Sequence, residues 1–231
     1  MTLRHAWAMG TPMTPLLPAV ELDTGPAPRH ALLWLHGLGA DGHDFAPIVP
    51  ELARGLPPMR CIFPHAPYRA VTLNGGMRVR AWYDIRGIDL GHRVDNEGLQ
   101  QSVAQARAWL ESLHEVHGIP PSRQLLAGFS QGGAVALAAA LALDQPLAGV
   151  VALSTYLPQT AIPSTVAPMR QIFMAHGSFD PIVPQSLGEA ACAQLRSQGH
   201  SVEWHSYPMP HAVLPQEIAD LRAWLVHRVG S

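Results

Sequence analysis

Lysine is absent from this chain of 231 residues, and all 15 of its basic residues are arginine. The absence excludes a Schiff-base lysine and a serine–lysine dyad as catalytic devices. Charge of either sign is also scarce, since charged residues make up 14% of the chain and the formal net charge is −2. We therefore expect neither nucleic acid nor an anionic membrane surface as a partner.

Cysteine is nearly absent too, with only Cys61 and Cys192 present and no C-x-x-C spacing. This argues against a zinc site or a disulfide framework and favours two free thiols in a reducing cytoplasm. No apolar run reaches the ~18 residues that a membrane span requires. Prolines 12, 15 and 18 interrupt the apolar N-terminus, which makes it a poor signal peptide. We expect a cytoplasmic protein without a transmembrane segment.

Short apolar runs alternate with helical patterns along the chain, and 48% of the residues are hydrophobic. The order predicts an α/β fold, with a mostly parallel central sheet and helices on both faces. We assign residues 26–231 to a single domain, after an N-terminal lead-in (1–25) that can supply one edge strand. The apolar patterns predict strands at 31–35, 59–63, 124–129, 147–153, 171–175 and 202–206, and helices at 45–54, 95–117, 132–143, 186–198 and 215–229. The Pro- and Gly-containing stretch 64–98 receives no element, and we expect it to shape a pocket.

Residues 128–132 read Gly-Phe-Ser-Gln-Gly, which matches the G-x-S-x-G pattern. The pattern lies between a predicted strand and a predicted helix, the setting in which it forms a nucleophile elbow. Glycine two positions before and after the serine allows the tight turn. Ser130 is therefore the candidate nucleophile, and the backbone N–H of Gln131, at the helix N-terminus, points to where an oxyanion would form.

A serine nucleophile needs a base, usually histidine, that a carboxylate orients. In α/β-hydrolases, where this motif forms the nucleophile elbow, the chain order is serine, acid, histidine. Of the 13 histidines, we assign the base to His211, because it follows Pro210 in a short loop between the last predicted strand and the last helix. Among the acids between Ser130 and His211, Asp180 is favoured because it lies in a turn just past a strand; the competing acids Asp144, Glu189 and Glu203 end or lie within elements.

The second oxyanion donor is expected after an early strand. Residues 36–39 read His-Gly-Leu-Gly, and the glycines allow the backbone to approach a substrate carbonyl. The N–H of Leu38 is the candidate donor.

Together these residues resemble the carboxylesterase and acyl-protein thioesterase family of small α/β-hydrolases, and look most like its bacterial carboxylesterase branch. The resemblance covers about residue 31 to the C-terminus and rests on segments 35–41, 64–67, 71–76, 82–85, 128–134, 152–158, 176–177 and 180–184. It implies a triad of Ser130, Asp180 and His211, with the oxyanion hole at Leu38 and Gln131.

The resemblance also implies an acyl pocket, lined by Leu73, Trp82, Tyr156 and Ile182, and chemistry that needs no metal or cofactor. Ala81 and the pair Ser178–Phe179 depart from the family pattern and bear on acyl-chain preference. The family is compatible with a homodimer.

The residues thus predict a serine carboxylesterase that hydrolyses short- to medium-chain carboxylic esters or thioesters through an acyl-enzyme on Ser130. One alternative is a lysophospholipase or protein-depalmitoylating thioesterase with a long acyl channel. A non-catalytic α/β-hydrolase scaffold that binds an apolar ligand or partner is the alternative from another class. The expected substrate is a small-molecule acyl ester or thioester.

Overall fold

The computed structural model describes residues 14–87, 95–159 and 168–229. Its elements alternate between strand and helix, as the apolar pattern predicts. The strands are β1 (Ala19–Asp23), β2 (His30–Leu35), β3 (Met59–Pro64), β4 (Tyr68–Val71), β5 (Met77–Arg80), β6 (Gln124–Phe129), β7 (Gly149–Leu153), β8 (Gln171–Gly177) and β9 (Ser201–Tyr207). The helices are α1 (Val49–Leu52), α2 (Asn96–Glu115), α3 (Gln131–Leu141), α4 (Gln185–Ser197) and α5 (Pro215–Val229), with short 3-10 turns at Ala46–Ile48, Thr72–Asn74 and Pro121–Arg123.

Seven strands form one sheet in the order β1-β3-β2-β6-β7-β8-β9. Strand β1 pairs antiparallel with β3, whereas the other neighbours in this sheet pair in parallel. The carboxyl ends of the parallel strands therefore share one edge, where ligand chemistry is found in such sheets.

Two apolar layers cover the sheet. On one face, buried residues of β2 such as Leu33 and Leu35 pack in the same cluster as α2, α3 and α4. On the other face, Leu32 and Trp34 belong to the cluster that includes α1 and α5. Side chains alternate between the faces of a strand, so the continuous apolar run of β2 serves both layers.

Helix α3 is buried along its whole length, and its residues are glycine, alanine, valine and leucine apart from Gln131. Small side chains let this helix lie between the sheet and α2. Its N-terminus is thereby fixed at the end of β6, beneath the expected site.

Two local features differ from the sequence predictions. The helix expected at 45–54 is a 3-10 turn followed by the four-residue α1, because Pro47 and Pro50 lack the N–H that a longer helix needs. The stretch 64–98 contains the hairpin of β4 and β5, whose strands are short and mostly exposed and so carry little apolar pattern. Strand β1 lies within the N-terminal lead-in, while residues 1–13 and 88–94 lie outside the described part of the chain.

Among the described residues, no helix combines the length and apolarity needed to cross a bilayer.

Candidate active site

Ser130 occupies a strained turn between β6 and α3. Its backbone has φ 54° and ψ −120°, a region that residues other than glycine rarely adopt. A side chain at Gly128 would collide with the Gly132 carbonyl, and one at Gly132 would collide with the Leu35 carbonyl. The two glycines are thus required by the close approach of the turn to β2 and to itself, as the motif predicts.

Neighbouring strands hold this turn in place. The Ser130 N–H donates to the Leu153 carbonyl at 2.9 Å. The Thr155 hydroxyl donates to the Ser130 carbonyl at 2.6 Å. Fixed at both backbone groups, the serine can retain its strained conformation. Sequence analysis gave Thr155 no role; its only signal was its place after a strand in a segment shared with the family.

The Asp180 carboxylate is buried and accepts hydrogen bonds from three groups. The backbone N–H groups of Ile182 and Val183 donate to its Oδ1 at 2.8 and 2.9 Å. His211 Nδ1 lies 2.6 Å from its Oδ2. A carboxylate only accepts, so Nδ1 carries the proton in this pair and Nε2 of a neutral ring is left as a base.

The ring of His211 packs on Phe129, with the ring centroids 4.7 Å apart. Phe129 directly precedes Ser130, so the predicted base packs against the residue adjacent to the predicted nucleophile. The His211 loop approaches β8 closely: a side chain at Gly177 would collide with the Met209 and Pro210 carbonyls. Within the described residues no hydrogen bond joins Ser130 Oγ to the ring, and such bonds often tighten only when substrate binds. The triad stays a prediction.

A second histidine lies beside the acid. His176 is 1% exposed, its Nε2 lies 2.8 Å from the Val183 carbonyl, and the same atom lies 3.5 Å from Asp180 Oδ2. Burial lowers the pKa of His176 and so favours its neutral form. Since the carbonyl can only accept, Nε2 carries the proton and ties the turn after Asp180 to β8. The sequence pattern gives His176 no role, and only these contacts reveal its positioning role.

The predicted oxyanion donors are the N–H groups of Leu38 and Gln131. In the described part of the chain neither N–H donates a hydrogen bond. The Gly37 carbonyl, which belongs to the same peptide unit as the Leu38 N–H, lies 2.7 Å from His36 Nδ1. The Ala66 N–H donates to His36 Nε2 at 3.0 Å, so Nδ1 carries the proton and orients that peptide. Burial lowers the pKa of His36 to about 4, which keeps the ring neutral.

The side chain of Gln131 ties the elbow to a distant segment. Its Oε1 accepts from the Trp82 N–H at 2.8 Å, and its Nε2 donates to the Tyr83 carbonyl at 2.7 Å. The amide pins residues 82–83 beside the turn, while its own backbone N–H remains available. The sequence pattern identified only the backbone of Gln131.

The four residues predicted to line an acyl pocket fall into two pairs. Trp82 and Tyr156 are buried, with Trp82 Nε1 donating to the His36 carbonyl and the Tyr156 hydroxyl 2.6 Å from that of Tyr83. Leu73 and Ile182 are exposed, at 47% and 62%. The first pair packs around the two oxyanion segments, whereas the second offers apolar surface to a substrate or to solvent.

Potential metal ligands converge in a single group within the described residues. One ligand atom from each of Asp41, His43 and His65 lies within 4.8 Å of the others. Neither cysteine fits such a role: both are buried, and burial raises the pKa of Cys61 to about 12. The hydrolytic arrangement described above uses none of these groups as a metal ligand.

The chain is similar to known proteins over most of its length. The phospholipase/carboxylesterase family model matches residues 18–228. Acyl-protein thioesterase 1 of Cryptococcus neoformans is 36% identical over 89% of this chain and 96% of its own, and that of Mycosarcoma maydis is 35% identical over 87% and 92%. The crystal structure of Zea mays acyl-protein thioesterase 2 superposes with a TM-score of 0.79 at 26% identity, covering 93% of this chain and 100% of that chain. The predicted fold class and family are confirmed: the chain belongs to the phospholipase/carboxylesterase family of α/β-hydrolases.

Proposed function

We propose that the protein hydrolyses carboxylic esters and thioesters through an acyl-enzyme on Ser130. The observation that carries the proposal is the 2.6 Å pairing of Asp180 with His211, on a ring that packs against the residue before the strained serine. Such a pairing leaves Nε2 as the base on a ring that packs beside the elbow serine.

The reaction proceeds in two halves. His211 Nε2 takes the Ser130 hydroxyl proton as Oγ attacks the substrate carbonyl, and the tetrahedral oxyanion is held by the Leu38 and Gln131 N–H groups. His211 then protonates the leaving alcohol or thiol, which departs and leaves the acyl group on Oγ. Water repeats the sequence on the acyl-enzyme, releases the acid and restores the serine. Asp180 holds the imidazole in the reactive tautomer and stabilises the imidazolium.

The principal substrates in this proposal carry short to medium acyl chains. The second candidate, a protein-depalmitoylating thioesterase or lysophospholipase, is favoured by the relatives named acyl-protein thioesterase. Exposed apolar side chains beside the acid turn, Phe179 and Ile182, are compatible with a longer chain. A series from p-nitrophenyl acetate to p-nitrophenyl palmitate, with palmitoyl-CoA as the thioester, separates the candidates by the chain length at which kcat/KM is greatest.

The decisive variant is Ser130→Ala, which we expect to lose p-nitrophenyl butyrate hydrolysis and fluorophosphonate labelling while keeping the circular-dichroism spectrum of the wild type. Ser154→Ala is the matched control, because Ser154 is also a buried serine with positive φ, at 47°, at the end of the neighbouring strand β7. That control should keep near-normal turnover. Wild-type turnover in Ser130→Ala would refute the proposal, and absence of labelling in the wild type would favour the non-catalytic scaffold.

We further propose a single domain over residues 26–231 and a cytoplasmic location. The six parallel-paired strands from β2 to β9 in one sheet support the first, with β1 of the lead-in added at the edge, and the two buried, unlinked cysteines support the second. A homodimer stays compatible with the family and is testable by analytical ultracentrifugation.

A further inference from the structure

A group of potential metal ligands lies beside the loop that carries the Leu38 N–H. Asp41 and His43 belong to the loop after β2, and His65 directly follows β3. We propose that these three side chains form a binding site for a divalent transition-metal ion of the zinc class, and that its occupation inhibits hydrolysis. The inhibitory part rests on the proposed function, whereas the binding part does not.

The donor set suits such an ion. Two imidazoles and one carboxylate, with water in the fourth position, form a common tetrahedral zinc environment. Asp41 Oδ1 already accepts from the backbone N–H of His43 at 2.8 Å and lies 3.1 Å from its Nδ1. Its Oδ2 therefore remains for an ion. The two imidazole centroids are 5.3 Å apart, and the His43 side chain is 72% exposed, so its ring is free to turn toward an ion.

Binding an ion conflicts with a hydrogen bond that holds the loop. The Gly42 N–H donates to His65 Nδ1 at 3.0 Å, so a neutral His65 carries its proton on Nε2. An ion on Nδ1 would displace the Gly42 N–H. An ion on Nε2 would move the ring proton to Nδ1, where it would face the Gly42 N–H. In either mode the bond from Gly42 to His65 is lost.

Loss of this bond affects the oxyanion segment, because the loop has little room to adjust. Gly42 lies against the Phe63 carbonyl, where even a methyl group would collide. The Gly39 N–H is tied to the Arg80 carbonyl at 2.8 Å. The Leu38 N–H lies on the same short loop, so repulsion at Gly42 shifts or rotates that donor. One misplaced oxyanion donor lowers kcat by about 10²–10³-fold, which sets the upper range of the inhibition.

The test measures binding and inhibition separately on chelator-treated full-length protein. Binding is measured by titrating Co²⁺ and following its visible absorption, because tetrahedral Co²⁺ with nitrogen ligands absorbs strongly. Inhibition is measured as the rate of p-nitrophenyl butyrate hydrolysis at increasing Zn²⁺ concentration. The variants are His43→Gln and Asp41→Asn, the latter keeping an oxygen acceptor for the backbone turn. The exposed His227 on α5 supplies the control His227→Gln.

We expect one saturable Co²⁺ site in the wild type and the control, and inhibition by Zn²⁺ in both. Each ligand variant should weaken binding and raise the inhibitory Zn²⁺ concentration by at least about tenfold, measured against its own metal-free rate. Undiminished binding and inhibition in both variants would overturn the proposal and place the metal elsewhere, for instance on His211. Wild-type binding without inhibition would overturn the inhibitory part, and no wild-type Co²⁺ site would overturn the whole. A wild type with no esterase activity would refute the proposed function, while the Co²⁺ titration would still decide the site.

Discussion

Glu217, in the first turn of α5, is a fully buried carboxyl whose ionisation opposes folding. It is 0% exposed, and the nearby Leu214 backbone offsets only part of the cost of burying its charge. Burial raises its pKa from 4.5 to about 8. The unfolded chain therefore loses this proton at a lower pH than the folded protein does. Stability accordingly decreases as pH rises from about 4.5 to about 8, where the unfolded state binds fewer protons.

The magnitude follows from these two pKa values. At pH 7, retaining the proton on a carboxyl of intrinsic pKa 4.5 costs about 3 kcal/mol, at about 1.36 kcal/mol per pH unit. Between pH 5.5 and 7.5 the contribution of Glu217 to the unfolding free energy becomes less favourable by about 2.5 kcal/mol, worked from the same two pKa values. Glu217→Gln removes the titration and should remove that slope. His36, whose pKa is lowered to about 4, contributes in the opposite direction but equally in both proteins, so it cancels in the difference.

The assay is urea unfolding of wild type and variant at several pH values, with the difference in unfolding free energy plotted against pH. We expect the unfolding free energy of the variant minus that of the wild type to increase by about 2.5 kcal/mol between pH 5.5 and 7.5. Glu217→Met, of similar length and without a titrating group, should show the same relative gain even if its absolute stability differs. A difference that stays flat with pH in both variants would refute the reasoning, since it would mean that the carboxyl is ionised or hydrated in the folded state.

Two further predictions concern the site. Asp180→Asn keeps an oxygen that can accept from the Ile182 and Val183 N–H groups, but it places an amide N–H₂ where the carboxylate accepted from His211 Nδ1–H. We therefore expect kcat to fall roughly 10⁴-fold with an unchanged melting curve. A loss below tenfold would contradict the assigned tautomer. Gln131→Met retains the backbone N–H but leaves two buried backbone groups unpaired, at about 1–3 kcal/mol each, so unfolding in urea should occur at lower concentration. An unchanged midpoint would show that water replaces the amide.

The sequence predicted the parts of the fold that rest on strong apolar patterns. Strand β6 was predicted with its observed bounds, and α5 likewise, because both combine buried apolar positions with clear stop signals. The hairpin of β4 and β5 was missed because its residues are largely exposed and include three arginines. Strand β1 was expected only as an option within the lead-in. Its pairing with β3 is a long-range contact, which local pattern does not encode.

The site divides in a similar way. The elbow glycines were predictable because the G-x-S-x-G pattern marks the turn within five residues of chain, although Gly132 is also required by the close approach of β2. The positioning groups were not. Thr155 and His176 act through hydrogen bonds to backbone carbonyls of other segments, and His36 joins the Gly37 carbonyl to the Ala66 N–H. No local pattern marks such a contact, and each of these residue types has many ordinary roles in a folded core. The exposure of Leu73 and Ile182 also depends on how whole segments pack.

The complete burial of helix α3 limits which parts of the protein can unfold locally. Because all eleven of its residues are buried, its backbone amides can meet solvent protons only when a large part of the sheet and its covering layer come apart. The proposed nucleophile is thus attached to a fully buried helix, whereas the proposed base lies on a short loop. Motion of the His211 loop can then move the imidazole toward or away from the Ser130 hydroxyl while the strained turn at Ser130 keeps its conformation.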